Sequence, residues 1–194
     1  MTDSEPAQAS LVRGAVVFTD IVGFTEYTAF RGDEAALALL ALQERVVHET
    51  LPADARVVKE LGDGLLLWFA DACAALRCCL LLRYRFEEES DAMMMPLWVR
   101  IGMHFGQQVA RGDDLIGHCV NVAARIVSIA GPGEVVLSAD TRAEVASGLP
   151  EVSFEELGPV VMKGIPDPVR LFRALGPDTP VTLVTSLHNP AAAN

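Results

Sequence analysis

Apolar positions along this chain alternate between a two-residue and a three-to-four-residue period, and the switches mark out its elements. Ala15 to Thr19 (AVVFT) is an apolar, β-branched run that predicts a buried strand stopping at Asp20. Asp33 to Leu51 opens on acidic residues and repeats Leu39, Leu42 and Val46 on one face, the pattern of an amphipathic helix. Arg56 to Leu61 and Leu65 to Phe69 read as two strands joined through Gly62-Asp63-Gly64, because Asp-Gly between apolar runs signals a hairpin. A second helix is expected from Asp71 to about Glu89, and a strand from Trp98 to Phe105 with a short one after Gly106. Cys119 to Ala130 predicts a helix ended by Gly131-Pro132-Gly133. Glu134 to Ser138 predicts a strand, Thr141 to Ser147 a short helix, and short strands follow to about Leu175.

The leading order is strand, helix, hairpin, helix, strand. It predicts an α+β fold of ferredoxin-like (split βαβ), palm type: an antiparallel sheet with helices on one face, extended by extra C-terminal strands and a helix. If the first strand and the hairpin are neighbours, Asp20 and Asp63 meet at adjacent strand ends on an exposed rim. Residues 1–10 and 176–194 lack periodicity and read as tails around one domain at 11–175. Met93, Met94 and Met95, before Pro96, fall in an expected loop where gap-filling is the default role.

Charge narrows the function classes. With 26 acidic and 15 basic residues the net charge is −11, which disfavours nucleic acid and anionic membrane as partners. The same field repels nucleotides, so a nucleotide site here needs metal ions and a few well-placed basic residues. The apolar runs are short against the ~20 residues of a membrane helix, and MTDSEPAQAS has neither the basic start nor the apolar stretch of a secretion signal. A cytosolic protein without membrane insertion is expected. Cys73, Cys78, Cys79 and Cys119 form no CxxC pair and read as buried thiols. His48, His104, His118 and His188 have no HxxxH or HxH spacing to suggest zinc, and His104 reads as a core or rim residue.

Taken singly, the chemical candidates have plain explanations. Asp20 can cap the next helix and Asp63 can form its turn. Together they offer two carboxylates beside the turn at Gly23, whose N–H groups can hold an anion, and that suits magnesium carrying a triphosphate. Asn121 and Arg125 stand at i and i+4 and share a helix face.

The segments FTDIVGFT, VVKELGDG, GDDLIGHCVNVAAR and VMKGIPDPVRLFR, in this order, resemble the class III nucleotidyl cyclase catalytic domain from about Arg13 to Leu175. The resemblance implies an adenylate cyclase that turns ATP into cyclic AMP and pyrophosphate. It implies two divalent metal ions, Mg or Mn, on Asp20, Asp63 and the carbonyl of Ile21. Lys59 and Asp114 are its implied adenine readers, Asp114 being found by counting back from Asn121. Asn121 is implied to orient the ribose, Arg125 to stabilise charge at the α-phosphate, and Lys163 to bind the triphosphate. Phe18, Gly23, Phe24 and Thr25 belong to the motif around the metal loop and stand as substrate-binding candidates, although packing is the simpler role for the two phenylalanines. Arg111 is a further phosphate candidate. The resemblance also implies a homodimer with composite sites, the metal aspartates coming from one chain and the base, ribose and phosphate residues from the other.

Three rivals remain. A guanylate cyclase would carry glutamate at position 59. A silent nucleotide-binding or dimerisation module of the same fold usually lacks a metal aspartate or the Asn/Arg pair. A diguanylate cyclase would show a GGDEF-type signature. The sequence names no regulator, and a stand-alone cyclase and a piece of a larger protein are equally compatible with it.

Overall fold

The computed structural model describes residues 9–93 and 97–176. The chain forms β1 (Ala9–Ile21), α1 (Phe24–Arg31), α2 (Asp33–Thr50), β2 (Ala55–Glu60), β3 (Gly64–Phe69), α3 (Ala72–Met93) and β4 (Val99–Arg111). It continues through β5 (Asp114–Ile116), α4 (His118–Val127), β6 (Val135–Ser138), α5 (Ala139–Val145), β7 (Ser153–Val160) and β8 (Val169–Leu175). The sheet runs β2-β3-β1-β4-β6-β8-β7, with β5 added on β4. Its first four strands have the split βαβ order, all antiparallel, and the parallel β4–β6 pair attaches the C-terminal extension.

Side-chain alternation sorts the core onto two faces. Val17 and Ile21 of β1 face α2, α3 and α5, whose Leu39, Leu76 and Val145 complete the main core. Val16 and Phe18 face the other way, onto Ala123 and Val127 of α4. The helices on one face are thus joined by α4 on the opposite face. That helix lies on the backbone of β4: a methyl group at Gly102 would run into the backbone nitrogen and Cα of Val127. No rotamer change relieves a backbone clash, so Gly102→Ala is expected to cost about 3 kcal/mol. Urea denaturation measures this, and an unchanged midpoint would contradict the close packing of α4.

Four expectations need correction. β1 begins at Ala9, so it takes in the last two residues of the expected tail. Gly106 does not break β4, a continuous strand of 13 residues. It is glycine because a Cβ there would sit 2.5 Å from Cys119 Sγ, so the residue allows close approach and makes no turn. The helix α1 was not expected. It has no buried residue and is bounded by Gly23 and Gly32, leaving neither an apolar stripe nor a side-chain cap to read. The short strand β5 was also missed, in a stretch too brief to show a period. Met94, Met95, Pro96 and the C-terminal tail from residue 177 lie outside the described residues.

β1 and β4 form a long ribbon, paired from Ile21↔Val99 to Ala9↔Arg111. Gly14 and Gly106 are direct partners within it, with the Trp68 ring where a Gly14 side chain would be. β3 accompanies β1 only as far as Ala15. Beyond that point Val12 and Ala110 of the ribbon, with Leu115 of β5, pack in the cluster on the α4 face, and β5 meets β2.

Candidate active site

The antiparallel register brings the two aspartates together. Asp20, the next-to-last residue of β1, has Gly64 of β3 on one side and Arg100 of β4 on the other. Asp63 sits in the β2–β3 turn, which Gly62 enters at φ 76°. The Ile21 N–H donates to the Asp63 carbonyl at 3.1 Å, fixing the two backbones side by side. Burial pushes the Asp63 carboxyl above its ordinary pKa, its own backbone N–H opposes this, the Asp20 charge pushes it higher, and Arg100 pulls it down. Two carboxylates that repel each other suit a divalent cation. Among the described residues no three acidic, His or Cys side chains gather into a complete metal cluster. The donor set therefore fits an ion that brings further ligands, as magnesium on a nucleotide does.

Arg100 was not foreseen. Its Nε donates to Asp20 Oδ2 at 2.6 Å, both side chains being half-buried. A lone basic residue in the apolar strand Val99–Phe105 is a signal that it needs an acid, but the partner emerges only from the β1–β4 register.

After Ile21 the chain turns at Gly23, in the left-handed region at φ 72°, and enters α1 with no side-chain cap. The first-turn N–H groups of α1 are thus left for solvent or a ligand. Thr25 is exposed there, while Phe24 packs on the main core. Phe18 is a core residue under α4 among Val16, Leu66, Ala123 and Val127, so its ring does not take the substrate-facing place carried for it.

Lys59 and Asp114 meet. A bulge between Val57 and Lys59 sets Lys59 opposite Leu66, on the α4 face. Glu60 pairs with Leu65, which belongs to the main core on the other face, as alternation requires. Lys59 Nζ donates to Asp114 Oδ2 at 2.6 Å across 55 residues of sequence. That bond, with the Leu115 N–H, holds the Asp114 carboxyl below its ordinary pKa. Arg56 Nη1 adds a bond of 2.9 Å to the Asp113 carbonyl, a second tie between β2 and the β4–β5 turn that the sequence did not reveal.

Asn121 and Arg125 are exposed on one face of α4, whose other face buries Val122, Ala123 and Ile126. Lys163 is exposed beside Gly164 in a turn between β7 and β8. Met162 and Ile165 anchor that turn by packing with Val122 and Ile126, and the Ile165 N–H donates to the Met162 carbonyl at 3.1 Å. Arg125 Nε donates to the Lys163 carbonyl at 3.1 Å, so the basic pair shares one patch. Among the described residues, no hydrogen bond or ion pair joins this patch, or the Lys59–Asp114 pair, to Asp20, Asp63 and Arg100. Arg111 stands at the ribbon tip without such a bond.

Of the remaining candidates, His104 is a core residue. Its Nδ1 lies 2.7 Å from Ser138 Oγ, and burial lowers its pKa. The four cysteines are free thiols, and burial pushes Cys78 up to about 12.

Comparison with known proteins identifies the family. The family described as the adenylate and guanylate cyclase catalytic domain matches residues 10–173. A putative adenylate cyclase 3 of Rhizobium meliloti (strain 1021) is 30% identical over 162 residues, covering 81% of this chain and 27% of the relative. A pH-sensitive adenylate cyclase of Mycobacterium tuberculosis (strain CDC 1551 / Oshkosh) is 30% identical over 161 residues, covering 81% and 39%. The chain thus spans well under half of these relatives. In structure it resembles the adenylyl cyclase CyaB from P. aeruginosa, with a TM-score of 0.76, 22% identity, and coverage of 87% of this chain and 96% of that one. No helix among the described residues is long and apolar enough to cross a membrane.

Proposed function

Because this chain belongs to the family of adenylate and guanylate cyclase catalytic domains, we propose that it converts ATP into 3′,5′-cyclic AMP and pyrophosphate, working as a homodimer with composite sites. The observation that carries the choice of ATP is the Lys59–Asp114 pair at 2.6 Å. An ammonium donates to adenine N1, and a carboxylate accepts from the N6 amino group. Guanine presents N1–H and O6 at these places and mispairs both.

Asp20, Asp63 and the Ile21 carbonyl would hold two magnesium or manganese ions. When bound, these ions supply activation of the ribose 3′-hydroxyl and charge neutralisation on the leaving pyrophosphate. The protein's own residues position the substrate. The turn at Gly23 and Thr25 offers N–H groups to phosphate oxygens. From the second chain, Asn121 orients the ribose so that the 3′-oxygen lies in line with the α-phosphorus. Arg125 offers its fork to the equatorial oxygens, where charge grows in the transition state. Lys163 binds the terminal phosphates.

The test is to incubate the purified chain with ATP or GTP and Mg²⁺ or Mn²⁺ and quantify the cyclic products. Cyclic AMP from ATP is expected, and its absence with both metals would defeat the proposal. The double variant Lys59→Glu, Asp114→Gly is expected to lower kcat/KM for ATP on the order of 10²-fold. Unchanged ATP turnover would reject the base-reading assignment.

A further inference from the structure

The buried face of α2 is aliphatic except at Gln43 and Thr50, and Gln43 is 1% exposed. A buried amide is costly without a polar partner. Gln43 Nε2 donates to Thr19 Oγ1 at 3.2 Å, and the same hydroxyl accepts the Leu65 N–H at 3.2 Å. Thr19 is 2% exposed and directly precedes Asp20, while Leu65 follows Asp63 by two residues. One hydroxyl therefore holds helix α2, the end of β1 and the start of β3. Gly64 completes the junction, because a methyl group there would run into the Thr19 carbonyl oxygen. The Thr19 side chain points into the main core and Asp20 to the opposite face, so the hydroxyl reaches the carboxylates only through the backbone.

We propose that Gln43 and Thr19 are positioning residues that set the spacing of the Asp20 and Asp63 carboxylates, and through it the affinity for divalent metal. The inference rests on reading those aspartates as metal ligands. Supporting bonds behind a ligand set typically change metal affinity 10–100-fold.

The test measures bound Mn²⁺ by electron paramagnetic resonance, with 3′-deoxy-ATP present so that no turnover occurs, and records thermal melting of each variant. Thr19→Val keeps the shape and removes the hydroxyl, and Gln43→Leu removes the amide among leucines. Each is expected to weaken Mn²⁺ binding on the order of 10-fold, and the double variant no more than either single one, since they break one network. Thr19→Ser restores the hydroxyl and is expected to bind within about threefold of the parent. If Thr19→Val and Gln43→Leu melt lower yet bind Mn²⁺ like the parent, the network is only a core hydrogen bond and the inference is overturned. Should Thr19→Val fail to fold, Gln43→Leu decides alone. Asp20→Asn and Asp63→Asn separate the two ideas: if they too bind like the parent, the metal reading itself fails and this inference falls with it.

Discussion

Asp63→Asn is expected to lose cyclase turnover by about 10³-fold or more, and yet to melt above the parent in metal-free buffer at neutral pH. The two effects have one source. Burial and the neighbouring Asp20 raise the Asp63 pKa in the folded chain. An acid whose folded pKa exceeds its unfolded value is ionised at a cost, so at neutral pH the Asp63 carboxylate subtracts from stability. Below the unfolded value the group is protonated in both states and contributes nothing. The advantage of asparagine is therefore full above the folded pKa, and disappears as pH falls through it toward 3.8. Added Mn²⁺ reverses the order, because metal stabilises the parent by mass action and finds no complete site in the variant. Melting curves from about pH 4 to 8, with and without Mn²⁺, check each limb. A variant that melts below the parent at neutral pH without metal would show that Arg100 and the backbone N–H outweigh burial and repulsion.

The second large effect concerns pairs of chains. Asp20→Ala and Asn121→Ala are each expected to lower activity by about 10³-fold on their own. Mixed in equal amounts and allowed to exchange, they are expected to recover about a quarter of the parent activity. Random pairing puts half of the dimers in the mixed form, and each mixed dimer holds one site with both substitutions and one with neither. The structure motivates the experiment, since the aspartate rim and the Asn121–Arg125–Lys163 patch share no bond within one chain. Cyclic AMP production is the readout, with dimers counted by native mass spectrometry. Inactive mixtures in which mixed dimers are present would exclude composite sites.

Much of this was legible because the signals are local. Gly62-Asp63-Gly64 between apolar runs specified the β2–β3 turn, and the apolar repeat of Asp33–Thr50 specified α2. Asn121 and Arg125 share a face through helical spacing alone. What escaped depends on register or on approach between distant segments. Arg100 meets Asp20 only once β1 and β4 are aligned residue by residue. Arg56 reaches the Asp113 carbonyl only because the ribbon tip returns to β2. Gly106 carries the ordinary mark of a chain reversal, but its meaning lies in the volume of Cys119. Gln43 has no local mark that sets it apart from the other polar residues of α2. Its task was invisible until Thr19 stood beneath it.

The glycine pair at Gly14 and Gly106 divides the β1–β4 ribbon into a root that also pairs with β3 and an arm beyond the reach of β3. At the root, Asp20 is gripped by β3, Arg100 and the backbone of Asp63. On the arm, Asp114 is held to β2 through the exposed Lys59 and Arg56 contacts. Mechanically this is a clamp with a lever. If Lys59 and Asp114 read the base as proposed, a different bend in the arm would shift Asp114 against Lys59 while Asp20 and Asp63 kept their places at the root. On that reading, base preference and metal binding would be set by separate parts of one ribbon, the first open to change by small angles and the second not.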